Sequence, residues 1–405
     1  MRRSYAAAFA MLALCFVLSA CDLTTVPDTA TVTPLPTKKP GRTTSPTKRT
    51  KTPRPAFTPR PKPTRTPTHP PTSTATFTET LTPTASITFT PTATATRLTA
   101  TPTLTDDPRP TLFPMSIAGM RRGSYPGSEI MIDQPLERGS NYQRYYVYYR
   151  SQRLKIYGLL TVPDGDAPED GWPAIVFNHG YIPPDQYRTT ERYVAYVDRL
   201  ASSGYVVFRI DYRGHGHSEG NPQGAYGDPG YEVDVLNAIA SLKRYPHVNP
   251  EKIGMWGHSM GGYLTLRAMV ISKDIKAGSI WAGVVAPYSD ILYNWPEGPS
   301  IPPANSRVWM EEWPAQFGTP DDNPTFWNSI SANSYLADIS GPLQLHYGTA
   351  DADVPPQFSE TLASELRDAG KDVEIYAYPG DDHNISHYFD EAMNHTIEFF
   401  DSILK

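Results

Sequence analysis

Three short stretches carry residue types that could together perform one kind of chemistry. They are a serine in Gly257-His258-Ser259-Met260-Gly261, acids in Gly348-Thr349-Ala350-Asp351-Ala352-Asp353-Val354-Pro355, and a histidine in Pro379-Gly380-Asp381-Asp382-His383. A serine hydroxyl is a poor nucleophile until a base takes its proton, and the base needs a carboxylate to orient it. Such a set attacks an acyl carbonyl and passes through a covalent acyl intermediate. The oxyanion formed on the way needs preorganised N–H donors, and the Met260 amide, at the start of a helix-like stretch over 263–270, is placed to be one. Gly-x-Ser-x-Gly between an apolar run and that stretch predicts a strand, a strained turn and a helix, with the hydroxyl standing clear of the sheet. Gly257 and Gly261 leave room where side chains would collide with neighbouring backbone.

The surrounding pattern supplies elements to hold these groups. Residues 145–150 and 154–162 are β-rich runs flanking Ser151-Gln152-Arg153, which predicts a hairpin. Ala174-Ile175-Val176-Phe177 is an uninterrupted apolar run, as expected of a strand buried on both faces. Further strands are predicted at 205–210, 277–285, 343–347 and 373–378, and helices at 193–202, 231–243, 356–369 and 390–404. Strands alternating with helices predict an α/β fold with a doubly wound, mainly parallel sheet. The acid and the histidine each follow a strand, at the carboxyl ends where open α/β sheets build their sites. The chain order Ser259, Asp351, His383 is the one associated with α/β-hydrolases. Residues 286–335 interrupt the alternation and are rich in Trp (Trp295, Trp309, Trp313, Trp327) and Pro. These aromatics are expected either to line a pocket or to glue a long insertion together.

Residues 142–404 resemble an α/β-hydrolase of the prolyl oligopeptidase-like and acyl-esterase-like branch. The matching pieces are Asn178-His179-Gly180, Asp211-Tyr212-Arg213-Gly214-His215-Gly216-His217-Ser218, Gly257-His258-Ser259-Met260-Gly261-Gly262 and the acid stretch 348–355. The resemblance implies an α/β-hydrolase fold in which 286–335 forms a cap. It assigns the nucleophile to Ser259, the acid to Asp351 with Asp353 as competitor, and the base to His383 ahead of His387. It puts the second oxyanion donor at the Tyr181 backbone N–H, beside that of Met260. No cofactor is implied. No metal is expected at His215, His217 or His258, which lack a carboxylate or Cys at ligand spacing. His258 is expected to pack beside the turn, and Asp211 and Arg213 to be structural partners. The reaction expected is cleavage of carboxylic esters. Its alternative is peptidase action on short peptides, set second because prolyl peptidases of this family usually add a β-propeller and the lead at 115–162 is too small for one. A reading of another class, an inactive scaffold displayed on a stalk, has no need of all three residues in order.

Composition and charge divide the chain. Residues 24–112 are dominated by Thr, Pro, Ser and Ala and hold 12 Lys+Arg against 4 Asp+Glu, whereas the chain from Phe113 holds 22 against 37. The first stretch has almost nothing to bury, which predicts a disordered Thr/Pro-rich linker over 21–112, and the acidic folded domain 113–405 is not expected to bind nucleic acid. Met1-Arg2-Arg3 followed by apolar 6–18 has the plan of an export signal. It closes on Leu18-Ser19-Ala20-Cys21, which resembles the bacterial lipobox. That resemblance implies a lipoprotein signal peptide over 1–20, lipidation of Cys21 and a domain tethered to the outer face of the bacterial membrane. The second cysteine, Cys15, lies within the signal, so no disulfide is expected. Composition says nothing of the oligomeric state.

Overall fold

A computed structural model describes residues 113–295 and 308–405. The export-signal stretch, Cys21, the Thr/Pro-rich stretch and the middle of the insertion at 296–307 lie outside the described residues. The lead into the domain is a short helix α1 (Ile117–Arg122), capped by the Ser116 side chain, and an edge strand β1 (Met131–Pro135). Neither was expected from the sequence, because α1 is too short for a periodic signal and β1 is exposed along its whole length. The hairpin expected next is β2 (Tyr142–Ser151) and β3 (Leu154–Pro163), paired antiparallel from Tyr142↔Pro163 to Ser151↔Leu154. Gln152 makes the turn with φ +56°.

From there strands and helices alternate: β4 (Trp172–Asn178), α2 (Val194–Ser202), β5 (Val206–Ile210), α3 (Gly230–Leu242), β6 (Val248–His258), α4 (Met260–Ile271) and β7 (Ala277–Trp281). The insertion contributes α5 (Tyr288–Tyr293), α6 (Val308–Phe317), α7 (Pro324–Ile330) and a 3₁₀ segment (Ala332–Asp338). β8 (Leu343–Gly348), α8 (Pro356–Asp368), β9 (Val373–Tyr378) and α9 (Phe389–Leu404) follow. Among the described residues the nine strands form one sheet in the order β1-β2-β3-β5-β4-β6-β7-β8-β9, antiparallel as far as β5 and parallel from β5 to β9.

The apolar run in β4 explains the two layers. Ala174 and Val176 face a core built with α1, α3, α4 and α8, while Ile175 and Phe177 face one built with α2 and α9. Such a strand is buried on both sides, as are β5, β7 and β8, although β8 alternates Leu343 and Leu345 with the buried polar residues Gln344 and His346. This is the α/β-hydrolase fold, doubly wound and mainly parallel.

One strand is shorter than its apolar pattern suggested. The run 277–285 reads as a single strand, but β7 ends at Trp281 because Ala282 turns to φ +45°. Ala282 N–H then bonds the His346 carbonyl at 2.7 Å, and Val284 N–H reaches back to the Ser259 carbonyl at 3.2 Å. The apolar residues beyond Trp281 are therefore support for the serine turn. Among the described residues no helix is long and apolar enough to cross a membrane.

Topology decides where a site can form. β5 and β6 lie on opposite sides of β4, so the chain leaves β4 in one direction and returns in the other. The carboxyl ends of β4 and β6 flank that switch point, where the connecting segments diverge and open a crevice. Asn178, the last residue of β4, sits in register with Gly257, two residues before Ser259.

Candidate active site

Ser259 occupies the single residue between β6 and α4, with φ +56° and ψ −118°. For a non-glycine residue this conformation costs about 1–3 kcal/mol and persists only where its surroundings hold it. Here they do. Ser259 N–H donates to the Trp281 carbonyl at 2.9 Å, and its own carbonyl accepts from Gly262 at 2.9 Å. Space is as tight as the motif implied. A Cβ on Gly261 would lie 1.9 Å from the Asn178 carbonyl oxygen, and one on Gly257 would lie 2.3 Å from the Gly261 oxygen. Thr265 stitches the corner, its hydroxyl donating to the Gly261 carbonyl at 2.8 Å and accepting from the Asn178 side-chain amide at 3.0 Å.

His383 follows β9, and Asp351 follows β8. His383 Nδ1 lies 2.8 Å from Asp351 Oδ2, and the Asp351 side chain is only 1% exposed. The other carboxylate oxygen, Oδ1, accepts from the amides of Asp353 at 2.8 Å and Val354 at 2.9 Å. With the carboxylate accepting at Nδ1, the imidazole carries its proton there and leaves Nε2 as the basic lone pair.

The loop that carries His383 is built around buried Asp381. Its carboxylate accepts from the amides of Asp382, His387 and Tyr388 at 2.9–3.1 Å. His387 Nδ1 sits 3.0 Å from Asp381 and its side chain is 81% exposed, so this histidine closes the loop and does not face Asp351. Asp353 has a different position from Asp351. It reaches the cleft, and its carbonyl accepts from the Trp295 indole N–H at 2.8 Å.

Ser259 and His383 line one cleft of about 640 Å³ together with Tyr181, Tyr193, Arg192 and Asp353. Among the described residues neither the Met260 amide nor the Tyr181 amide has a hydrogen-bond partner. Two unpaired N–H groups thus remain, one at the start of α4 and one after β4. Asp351, Asp353 and His383 each offer a possible ligand atom within 4.8 Å of the others. Because Asp351 is already engaged by His383 and two amides, the arrangement serves to orient an imidazole.

The remaining motif residues are supports. Arg213 forks onto buried Asp234 through Nε at 3.0 Å and a terminal nitrogen at 2.7 Å. Asp211 is buried and accepts from the hydroxyls of Tyr187 and Thr189, and burial pushes its carboxyl up to about 6. It thereby holds the segment between β4 and α2 against the sheet. His215 packs edge-on to Tyr187 and Tyr231, and burial lowers its pKa.

The aromatic residues of the insertion pack on one another and on the lead into the domain. Trp313 packs on Phe113, Trp309 and Tyr288, and the Trp327 indole donates to the Gly318 carbonyl at 2.9 Å. Trp309 and Trp313 also line a second cavity of about 560 Å³, which shares Tyr181 with the cleft and is lined by neither Ser259 nor His383. The roles of Tyr193 and Trp295 were not legible in the sequence, since each depends on a contact with a residue far along the chain.

Residues 192–405, more than half of the chain, match the prolyl oligopeptidase family. The chain belongs to that family. As a member it is a serine hydrolase. Two relatives come from Bacillus subtilis (strain 168). The uncharacterized peptidase YuxL is 28% identical over 253 residues, which span 59% of this chain and 35% of YuxL. The uncharacterized peptidase YtmA is 27% identical over 257 residues, spanning 62% of this chain and 89% of YtmA. The present chain therefore matches only about a third of the first relative but most of the second. Among solved structures, an acetyl xylan esterase from Paenibacillus sp. R4 superposes with a TM-score of 0.53 at 19% identity, over 70% of this chain and 92% of that one. That likeness is one of fold.

Proposed function

We propose that Ser259, His383 and Asp351 are the catalytic triad of a hydrolase acting on small acyl substrates. The observation that carries this reading is the His383–Asp351 contact of 2.8 Å, in a cleft shared with a strained Ser259. His383 Nε2 takes the proton from Ser259 Oγ as that oxygen attacks the acyl carbonyl carbon. The unpaired Met260 and Tyr181 amides receive the oxyanion, and Asp351 stabilises the imidazolium. His383 then returns the proton to the leaving group. Water repeats the sequence and releases the acid.

Short peptides are the substrate class supported by the family and by two relatives that bear the name peptidase. The argument from a missing β-propeller loses weight, because YtmA is matched by this chain over 89% of its length. Carboxylic esters are the second reading. The cleft favours short, polar acyl groups in either case, since Arg192, Asp353, Asn384 and Ser386 line it. A triad able to expel an amine also expels a better leaving group, so ester turnover tests the mechanism and anilide turnover tests the class. The expected result is turnover of aminoacyl p-nitroanilides, together with p-nitrophenyl ester activity that falls beyond butyrate. Ester turnover with no anilide turnover would return the reading to an esterase. Failure of a fluorophosphonate to label Ser259 would leave the inactive scaffold.

We also infer that Cys21 is lipidated and that residues 21–112 tether the domain outside the cell. Support comes from Leu18-Ser19-Ala20-Cys21 directly after the apolar 6–18. Cys21→Ser is expected to move the protein from the membrane fraction to the soluble fraction of a bacterial host. Unchanged fractionation would overturn the anchor.

A further inference from the structure

Two successive non-glycine residues just before α2, Arg192 and Tyr193, both have φ +50°. Left-handed backbone costs about 1–3 kcal/mol at each such residue, and that strain needs a return elsewhere. Its effect is to turn the Tyr193 phenol inward beneath the serine turn. There Tyr193 Oη lies 3.0 Å from the Gly180 amide nitrogen and 2.8 Å from His258 Nδ1. On its far side, His258 Nε2 lies 2.9 Å from the His383 carbonyl oxygen.

The direction of every bond in this chain is determined. The His383 carbonyl can only accept, so His258 carries its proton on Nε2. Nδ1 of the neutral ring is then an acceptor, and the Tyr193 hydroxyl donates to it. The phenolic oxygen in turn accepts the Gly180 N–H. His258 is 3% exposed. Burial, helped by the nearby His383, pushes its pKa down to about 3, while Asp351 and Asp382 pull the other way without overcoming that. The ring therefore stays neutral and the chain keeps one direction across ordinary pH.

We propose that Tyr193 and His258 are positioning residues that lock the oxyanion segment after β4 to the loop carrying the catalytic base. The proposal rests on the reading of Ser259, His383 and the Tyr181 amide as catalytic. It explains which amide of that segment is free to serve: Gly180 N–H is consumed by Tyr193, so the donor is the next one, Tyr181. It also explains the glycine, because a Cβ at 180 would lie 2.7 Å from Tyr193 Oη and 3.2 Å from the Ser259 Cβ. The chain ties the segment of the Tyr181 amide directly to the His383 backbone, next to the Tyr196 hydroxyl that donates to the Asn384 carbonyl at 3.0 Å.

Tyr193→Phe removes a single oxygen, and His258→Gln cuts the same chain at its next member. Each variant is expected to lower kcat for p-nitrophenyl acetate ~10–100-fold with KM within about twofold, the range for a displaced oxyanion donor. The double variant should fall no further than the worse single one, because either cut already breaks the chain. Losses that multiply, or folded single variants with unchanged kcat, would overturn the proposal. A second readout does not depend on catalysis: in ¹⁵N-histidine spectra of the wild type, His258 should remain the neutral Nε2–H form from pH 5 to 9. A His258 signal titrating near the ordinary histidine value would also overturn it. Fluorophosphonate labelling of the wild type separates the two ideas. No labelling would sink the catalytic reading and the positioning role with it, whereas labelling with a titrating His258 would sink only the positioning role.

Discussion

Ser259→Ala is expected to lower kcat/KM for any substrate by ~10⁴–10⁶, leaving the residual rate that binding and the oxyanion donors alone supply. The loss is large because in the proposed mechanism Ser259 itself forms the acyl intermediate, which no neighbour can do in its place. Asp351→Asn should cost nearly as much, ~10⁴-fold, while leaving the fold intact. An amide at that position can still accept the amides of Asp353 and Val354 through its oxygen, which leaves its NH₂ facing His383. That donor selects the imidazole tautomer with its lone pair on Nδ1, so Nε2 is no longer a base towards Ser259. Combining the two substitutions should add little, since each disables the same step. The measurement is steady-state turnover with active-site labelling. Ser259→Ala with wild-type turnover would move the nucleophile elsewhere, and Asp353→Asn falling as far as Asp351→Asn would reassign the acid.

Arg267→Ala is expected to cost about 3–5 kcal/mol of stability, because it leaves a buried carboxylate without its counter-charge. Arg267 lies in α4, a helix buried almost all round, and is 1% exposed. Its Nε sits 2.6 Å from Glu232 Oε1, off the N–H axis, so this contact is an ion pair and not a directed hydrogen bond. The two terminal nitrogens donate to the carbonyls of Met115, at 2.6 Å, and Ile330. One side chain thereby joins the helix behind the serine to α3, to the lead into the domain and to the end of α7. Burial works against the guanidinium charge, and Glu232 more than offsets it, holding the group above its ordinary value. The discriminating variant is Arg267→Met with Glu232→Leu. It removes both charges together and should lose no more than about half of what Arg267→Ala loses. Urea unfolding with unchanged slopes would report this, and a double variant worse than the single one would show that the pair is net stabilising.

The fold and the site were legible in the sequence to different depths. Uninterrupted apolar runs such as 174–177 announce strands buried on both faces, and their alternation with helical stretches announces a parallel sheet. Pattern failed where conformation departs from it. The run 277–285 is apolar throughout, yet the strand ends where Ala282 turns to φ +45° and bonds the His346 carbonyl, while Trp281 and Val284 on either side bond the backbone of Ser259. α1 and β1 were missed because a single short helix and a wholly exposed edge strand leave no periodic trace.

What the sequence determined by itself is which residue types the candidate site holds and where along the strands they fall. The glycines around Ser259 and the placement of Asp351 and His383 just after strands are local properties, set by the space at one turn and by one strand end each. What only the tertiary structure decided is mutual position. That Asp351 and not Asp353 meets His383, that His387 is taken by Asp381, and that Tyr193 and His258 join two loops 203 residues apart in numbering from 180 to 383 all depend on contacts between distant segments. The physical reason is that a hydrogen bond specifies its partner through distance and direction, and strand order brings those directions together only after the sheet has closed at the β4–β6 switch point.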